Sequence, residues 1–141
     1  MNEPKILAIE DNKDIREALR DLLTFEGMQV IVAENGQEGI DKAKEHLPDL
    51  ILCDIMMPIK NGLQVFDELR HNIDLKNTPF IFLTAKVDND GIRQIILGAD
   101  DAVITKPFEI DVLLSSIKIT LKKIEERKIE KGRDELPFGI A

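Results

Sequence analysis

The chain has 141 residues, 27 acidic and 19 basic side chains, and a formal charge of −8 with both histidines neutral. Its 43% hydrophobic and 33% charged residues are an ordinary globular mixture that, at this length, supports one domain with a sizeable core and excludes wholesale disorder. An acidic balance disfavours nucleic acid or anionic lipid as a partner through net charge. The single Cys53 cannot form an internal disulfide, no Cys/His spacing suggests zinc, and the opening MNEPKILAIED has too short an apolar run for a signal core or spanning helix. The expected setting is cytoplasmic, away from membranes.

Short continuous apolar runs alternate with segments of helical period. Residues 6–9, 30–33, 50–53, 80–83 and 102–104 read as five strands buried on both faces. After the first, Ile15, Ala18, Leu19, Leu22 and Leu23 fall at i, i+3, i+4, i+7 and i+8 on one helix face, with Asn12 as N-cap and Gly27 as C-terminal stop. The second helix carries Gly39, Ile40, Ala43 and Leu47 before Pro48 ends it, and the third carries Leu63, Phe66 and Leu69 after Asn61 and Gly62. A fourth is expected on Ile92, Ile95, Ile96 and Ala99, between Asp88 and Gly98. The fifth begins after Pro107, and its Ile110, Leu114, Ile117, Leu121 and Ile124 step by 4, 3, 4 and 3. Strict alternation with short connections predicts an α/β, doubly wound (βα)5 protein: a five-stranded parallel sheet between two helical layers.

The last stretch differs in charge. Residues 118–135 hold seven basic and five acidic side chains, a local +2, so the remaining 12 basic and 22 acidic residues leave −10 elsewhere. The Glu125/Lys128 and Arg127/Glu130 pairs at i, i+3 predict a solvated helical extension broken at Gly132. The expected division is a domain over 1–124 and an extension with tail over 125–141. Two heptads of stripe fall short of a dimerising coiled coil, although a homodimer stays open as an alternative.

Doubly wound sheets bind ligands outside the carboxyl ends of their strands. The first strand ends at Glu10-Asp11, the third at Asp54, the fourth at Thr84 and the fifth at Lys106-Pro107. Each residue alone has an ordinary reading as a solvated loop, turn cap or strand end, but coincidence at four strand ends points to a site. Clustered carboxylates need a compensating cation, and hard oxygen donors without imidazole or thiolate suit magnesium. Magnesium commonly takes one or two carboxylates together with a phosphate, so the rim fits a phosphoryl group. Lys106 would neutralise one phosphoryl oxygen and Thr84 would hydrogen-bond another, while Asp54 on the central strand is the best-placed nucleophile. Cys53 reads as a small core residue, Met56 and Met57 as packing residues with Met56 at the site's edge, and His46 and His71 as helix-end cations without a catalytic part. No GxGxxG or GxxxxGK run occurs, and Gly62 reads as a backbone necessity in a tight loop.

With these residues the sequence resembles the receiver domain of bacterial two-component response regulators. Glu10-Asp11, Asp54 followed by Met57-Pro58 and Gly62, Thr84-Ala85, and Lys106-Pro107-Phe108 stand in the family's order over about residues 4–124. The resemblance implies a flavodoxin-like strand order 2-1-3-4-5. It implies a phosphoacceptor role for Asp54, fed by a histidine kinase or phosphotransfer protein, with Thr84 as switch and Lys106 as phosphate contact. Magnesium would be held by Glu10, Asp11, Asp54 and the Met56 backbone carbonyl. Met56 and Lys86 would flank the attacking water; neither is a water-activating base, which predicts slow self-dephosphorylation. The pattern departs at Val103, where the family usually carries an aromatic side chain, and the run from Gly98 to Lys106 is one residue longer than expected. The departure implies that the output face switches differently or weakly.

The chain is expected to turn over no external substrate and to act on a downstream protein partner or output domain, either alone or as the receiver portion of a longer polypeptide. Two other functions compete. A magnesium-dependent aspartyl-phosphate phosphatase or phosphotransferase needs a second acid two residues after the nucleophile, where Met56 stands. A scaffold that is no longer phosphorylated would not need the intact acids and lysine.

Overall fold

The computed structural model describes residues 3–85 and 97–134, with side chains described to residue 130. In chain order the elements are β1 (Lys5–Ile9), α1 (Lys13–Phe25), β2 (Gln29–Ala33), α2 (Gly36–His46), β3 (Leu50–Asp54), α3 (Gly62–Arg70), β4 (Phe80–Ala85), β5 (Ala102–Lys106) and a C-terminal helix (Ile110–Asp134). Lys86 and the expected helix on Ile92, Ile95 and Ile96 lie outside the described residues, whereas Ala99, expected on the same helix face, is exposed in a turn ahead of β5. All five strands are parallel, in the order β2-β1-β3-β4-β5. The chain therefore leaves β1 towards one edge and crosses back to β3, which places the reversal of strand order between β1 and β3.

Alternation along the strands sorts side chains into two layers. Leu7, Ile9, Ile51, Cys53, Phe80 and Phe82 pack with Ile40 and Ala43 of α2 and Val65, Phe66 and Leu69 of α3. Ile6, Ala8, Leu50, Leu52, Ile81 and Leu83 pack on the opposite face with Leu19 and Leu23 of α1 and Leu113, Ile117 and Leu121 of the C-terminal helix. Each fully buried Leu or Ile contributes about 2 kcal/mol of transfer free energy, so the three central strands carry most of the core.

Burial on both faces holds for β1, β3 and most of β4 and fails at the edges, because β2 and β5 have neighbours on one side only. Helix ends form where the capping residues stand. Asn12 accepts from the Ile15 amide, Asn35 from Glu38, and Asn61 joins Gln64 in a reciprocal capping box. Gly27, at φ +87°, ends α1 in the left-handed region that glycine adopts without a Cβ penalty.

Three expected helix faces shift. Ala18 is exposed although Leu19 and Leu23 are buried. Leu47 takes the left-handed C-cap of α2 and is exposed instead of packing. On the C-terminal helix the buried line is Leu113, Ile117, Thr120 and Leu121, while Ile110 is 55% exposed. Leu114 packs beside them and Ile124 is half-buried, so the expected stripe is lost only at Ile110, the first residue of the helix. That helix also runs through Gly132 to Asp134, since one glycine costs only about 1 kcal/mol in a long helix. Among the described residues no helix is long and apolar enough to cross a membrane.

Candidate functional site

At the reversal of strand order, the carboxyl ends of β1 and β3 deliver Glu10, Asp11 and Asp54 to one rim, and β5 brings Lys106. Glu10 and Asp54 are buried and Asp11 is exposed. One carboxylate oxygen from each acid lies within 4.8 Å of the others. The Lys106 ammonium donates to Asp54 Oδ2 at 2.9 Å and to Glu10 Oε2 at 3.3 Å. Glu10 Oε1 accepts from the Asn12 amide at 3.1 Å, and Asp54 Oδ1 accepts from the Met56 amide at 3.3 Å. Three carboxylates and one ammonium leave this group at −2 when all are ionised.

That imbalance is visible in the proton affinities. Burial, with the Asp54 charge next, pushes Glu10 up to about 7. Burial alone would lower the Lys106 ammonium, but its hydrogen bond to Asp54 and the charges of Asp54 and Glu10 outweigh it and hold the group above its usual range. The donor set is all hard oxygen, crowded and short of positive charge, which suits a small divalent cation such as magnesium. Burial and the two neighbouring acids raise the Cys53 thiol well above its ordinary value; its side chain packs in the α2/α3 layer, and its thiol donates to the Asp54 carbonyl at 3.3 Å.

The loops around Asp54 are tightly built. The Gly62 amide donates to the Ile55 carbonyl at 2.8 Å, and a Cβ at Gly62 would lie 2.4 Å from the Asp54 carbonyl oxygen. Glycine is thus required by close approach to the chain that carries Asp54. Ile59, between them, is exposed and sits at φ +70°, a strained conformation for a β-branched residue. Met57 packs against the core, whereas the Met56 side chain is 63% exposed at the rim. Thr84 is fully buried at the end of β4, and its hydroxyl donates to the Ala85 carbonyl at 3.0 Å. Val103 packs into the α2/α3 layer, and the Lys106–Pro107 peptide is cis.

The structure therefore brings together Glu10, Asp11, Asp54 and Lys106, with Met56 beside them through its backbone. His46 and His71 lie at the ends of α2 and α3, outside this group. A cavity of about 520 Å3 lies elsewhere, between Arg70 and Arg127 under the C-terminal helix, and none of the three acids lines it. Two arginines make contacts that no sequence pattern marks. Arg16 reaches the main chain of the β1–α1 loop, and Arg70 pairs with Asp101, whose side chain is almost fully buried. Arg70 follows the apolar face of α3, a placement that signals packing but names no partner.

Comparison with known proteins agrees with this geometry. A family model described as the response regulator receiver domain matches residues 6–118. The Staphylococcus aureus protein named response regulator ArlR is 37% identical over 126 residues, which are 89% of this chain and 56% of that protein. The chain thus spans about half the length of the curated relatives it matches. Among solved structures, the signal receiver domain of a signal transduction histidine kinase from Syntrophus aciditrophicus is 35% identical. It aligns with a TM-score of 0.77 over 86% of this chain and 92% of that one. The chemotaxis response regulator CheY4 of Vibrio cholerae is 28% identical, with a TM-score of 0.76 over 84% of this chain and 98% of that one.

Proposed function

This chain belongs to the response regulator receiver domain family, and from that premise we propose that Asp54 is the phosphoacceptor of a magnesium-dependent signalling reaction. The observation that carries the reading is the Lys106 ammonium joining Asp54 and Glu10 where three strand ends meet. An Asp54 carboxylate oxygen attacks the phosphorus of a histidine kinase's or phosphotransfer protein's phosphohistidine. The P–N bond breaks, the imidazole leaves with its electron pair and takes up a proton, and an acyl phosphate forms on Asp54.

Glu10, Asp11, Asp54 and the Met56 carbonyl would hold magnesium, which when bound neutralises phosphoryl charge and aligns the donor. Lys106 releases the carboxylates to pair with a phosphoryl oxygen, a charge-assisted contact in a half-buried setting. Thr84 turns its hydroxyl from the Ala85 carbonyl to another phosphoryl oxygen and so couples phosphorylation to the β4 end. Moving such an equilibrium from 1:99 to 99:1 takes about 5.5 kcal/mol of differential stabilisation, within reach of several charge-assisted bonds acting together.

We place the receiver at 1–124 and the helical extension with its tail at 125–141, in the cytoplasm, where the extension leads to an output domain or protein partner. The exposed Met56 thioether offers no proton and activates no water, which supports a signalling domain with slow self-dephosphorylation over a phosphatase. Incubation with a small acyl phosphate and magnesium, followed by intact mass, tests the reading. One phosphoryl group is expected on the wild-type chain and none on Asp54→Asn. No adduct with any donor favours a scaffold, and turnover of external phosphate esters favours an enzyme.

A further inference from the structure

Arg16 lies in the second turn of α1 with a side chain only 15% exposed. Its Nη1 donates to the Glu10 carbonyl at 3.0 Å and to the Asp11 carbonyl at 3.3 Å, and its Nη2 stands 3.9 Å from Glu34 Oε2. These two carbonyls belong to the residues whose carboxylates enter the acidic group. Because peptide units are planar, tethering both carbonyls to one rigid guanidinium fixes the two peptide planes that flank Asp11. The Glu10 carboxylate has its own anchors in the Asn12 amide and Lys106. Among the described residues the exposed Asp11 carboxylate makes no hydrogen bond or ion pair. Its direction therefore comes from its backbone.

We propose that Arg16 is a positioning residue for the metal-binding acids, holding the β1–α1 loop so that Asp11 stays within reach of Glu10 and Asp54. The inference rests on the reading of that group as a magnesium site. Its consequence has a sign that separates it from plain electrostatics. Removing a cation beside an acidic cluster strengthens divalent binding through space, whereas releasing the loop weakens it. Partners that orient metal ligands typically contribute about 10- to 100-fold in affinity.

Calorimetric titration of magnesium into the full chain, stripped of metal, decides between them. Arg16→Met keeps an apolar stem and removes every donor, and is expected to bind magnesium at least about tenfold more weakly than wild type. Arg16→Lys restores the charge without the planar fork and is expected to fall between the two. Glu34→Gln is expected to match wild type. Thermal unfolding of the metal-free variants reads folding separately, since a purely structural role lowers the midpoint while leaving the affinity of folded molecules intact. Affinity of Arg16→Met equal to or tighter than wild type overturns the inference; should that variant fail to fold, equality of Arg16→Lys with wild type does so. A wild-type chain that binds no magnesium overturns the site reading itself, and this inference with it.

Discussion

At the end of β1, burial and the Asp54 charge push Glu10 up to about 7 from 4.5, and the sign of the resulting pH dependence follows from linkage. Below 4.5 the group is neutral in both folded and unfolded chains; between 4.5 and about 7 the unfolded chain ionises while the folded one keeps its proton. Stability of the metal-free protein therefore falls through this window on account of Glu10 and levels off above it. A divalent cation must displace that proton, so magnesium is expected to raise the unfolding midpoint more at about pH 8 than at about pH 6. Thermal scans with magnesium or chelator at the two pH values measure this, and equal stabilisation at both would remove Glu10 from the site. Glu10, Asp11, Asp54 and Lys106 were legible in the sequence because each follows an apolar run that ends abruptly in a charge. Arg16 was not, since contacts from a helix arginine to main-chain carbonyls leave no periodic trace.

Between elements, Asp101 ties together the lead-in to β5, the start of β4 and the end of α3. Its side chain accepts from Arg70 Nη2 at 2.6 Å, from the Phe80 amide at 2.8 Å and from the Gly98 amide at 2.7 Å. Arg70 also donates to the Lys76 and Thr78 carbonyls and lies 4.5 Å from the Phe66 ring centroid. Removing the acid leaves a largely buried guanidinium without its counter-charge and the Phe80 amide without its acceptor, so Asp101→Ala is expected to cost about 3 kcal/mol in urea unfolding. Lys118→Ala, which breaks the more exposed pair with Glu26, is expected to cost under about 1 kcal/mol; similar losses for both would contradict this ranking. Strand and helix positions could be read from period and caps. Pairings such as Arg70–Asp101 join residues 31 apart, and no local pattern marks them. Arg127, expected beside Glu130, has that charge as a neighbour and also reaches across to Asp100 ahead of β5, a contact that no local pattern marks.

Across the whole molecule, the order β2-β1-β3-β4-β5 turns five separate strand ends into one rim. Alternation of strands and helices made the α/β class legible. The side on which β2 joins came from family resemblance, because periodicity carries no information on strand neighbours. The C-terminal helix passes from core packing at Leu113, Ile117 and Leu121 to the Arg127–Asp100 pair without a break. The proposed function turns on phosphate arriving at Asp54. Borohydride reduction of the acyl-phosphate-treated chain converts an aspartyl phosphate to homoserine, and peptide mass mapping then locates it. A magnesium-dependent phosphoacceptor at Asp54 predicts homoserine at position 54 and nowhere else, formed with magnesium and lost with chelator. Label at Glu10, Asp11 or another carboxylate, or formation indifferent to magnesium, would contradict it.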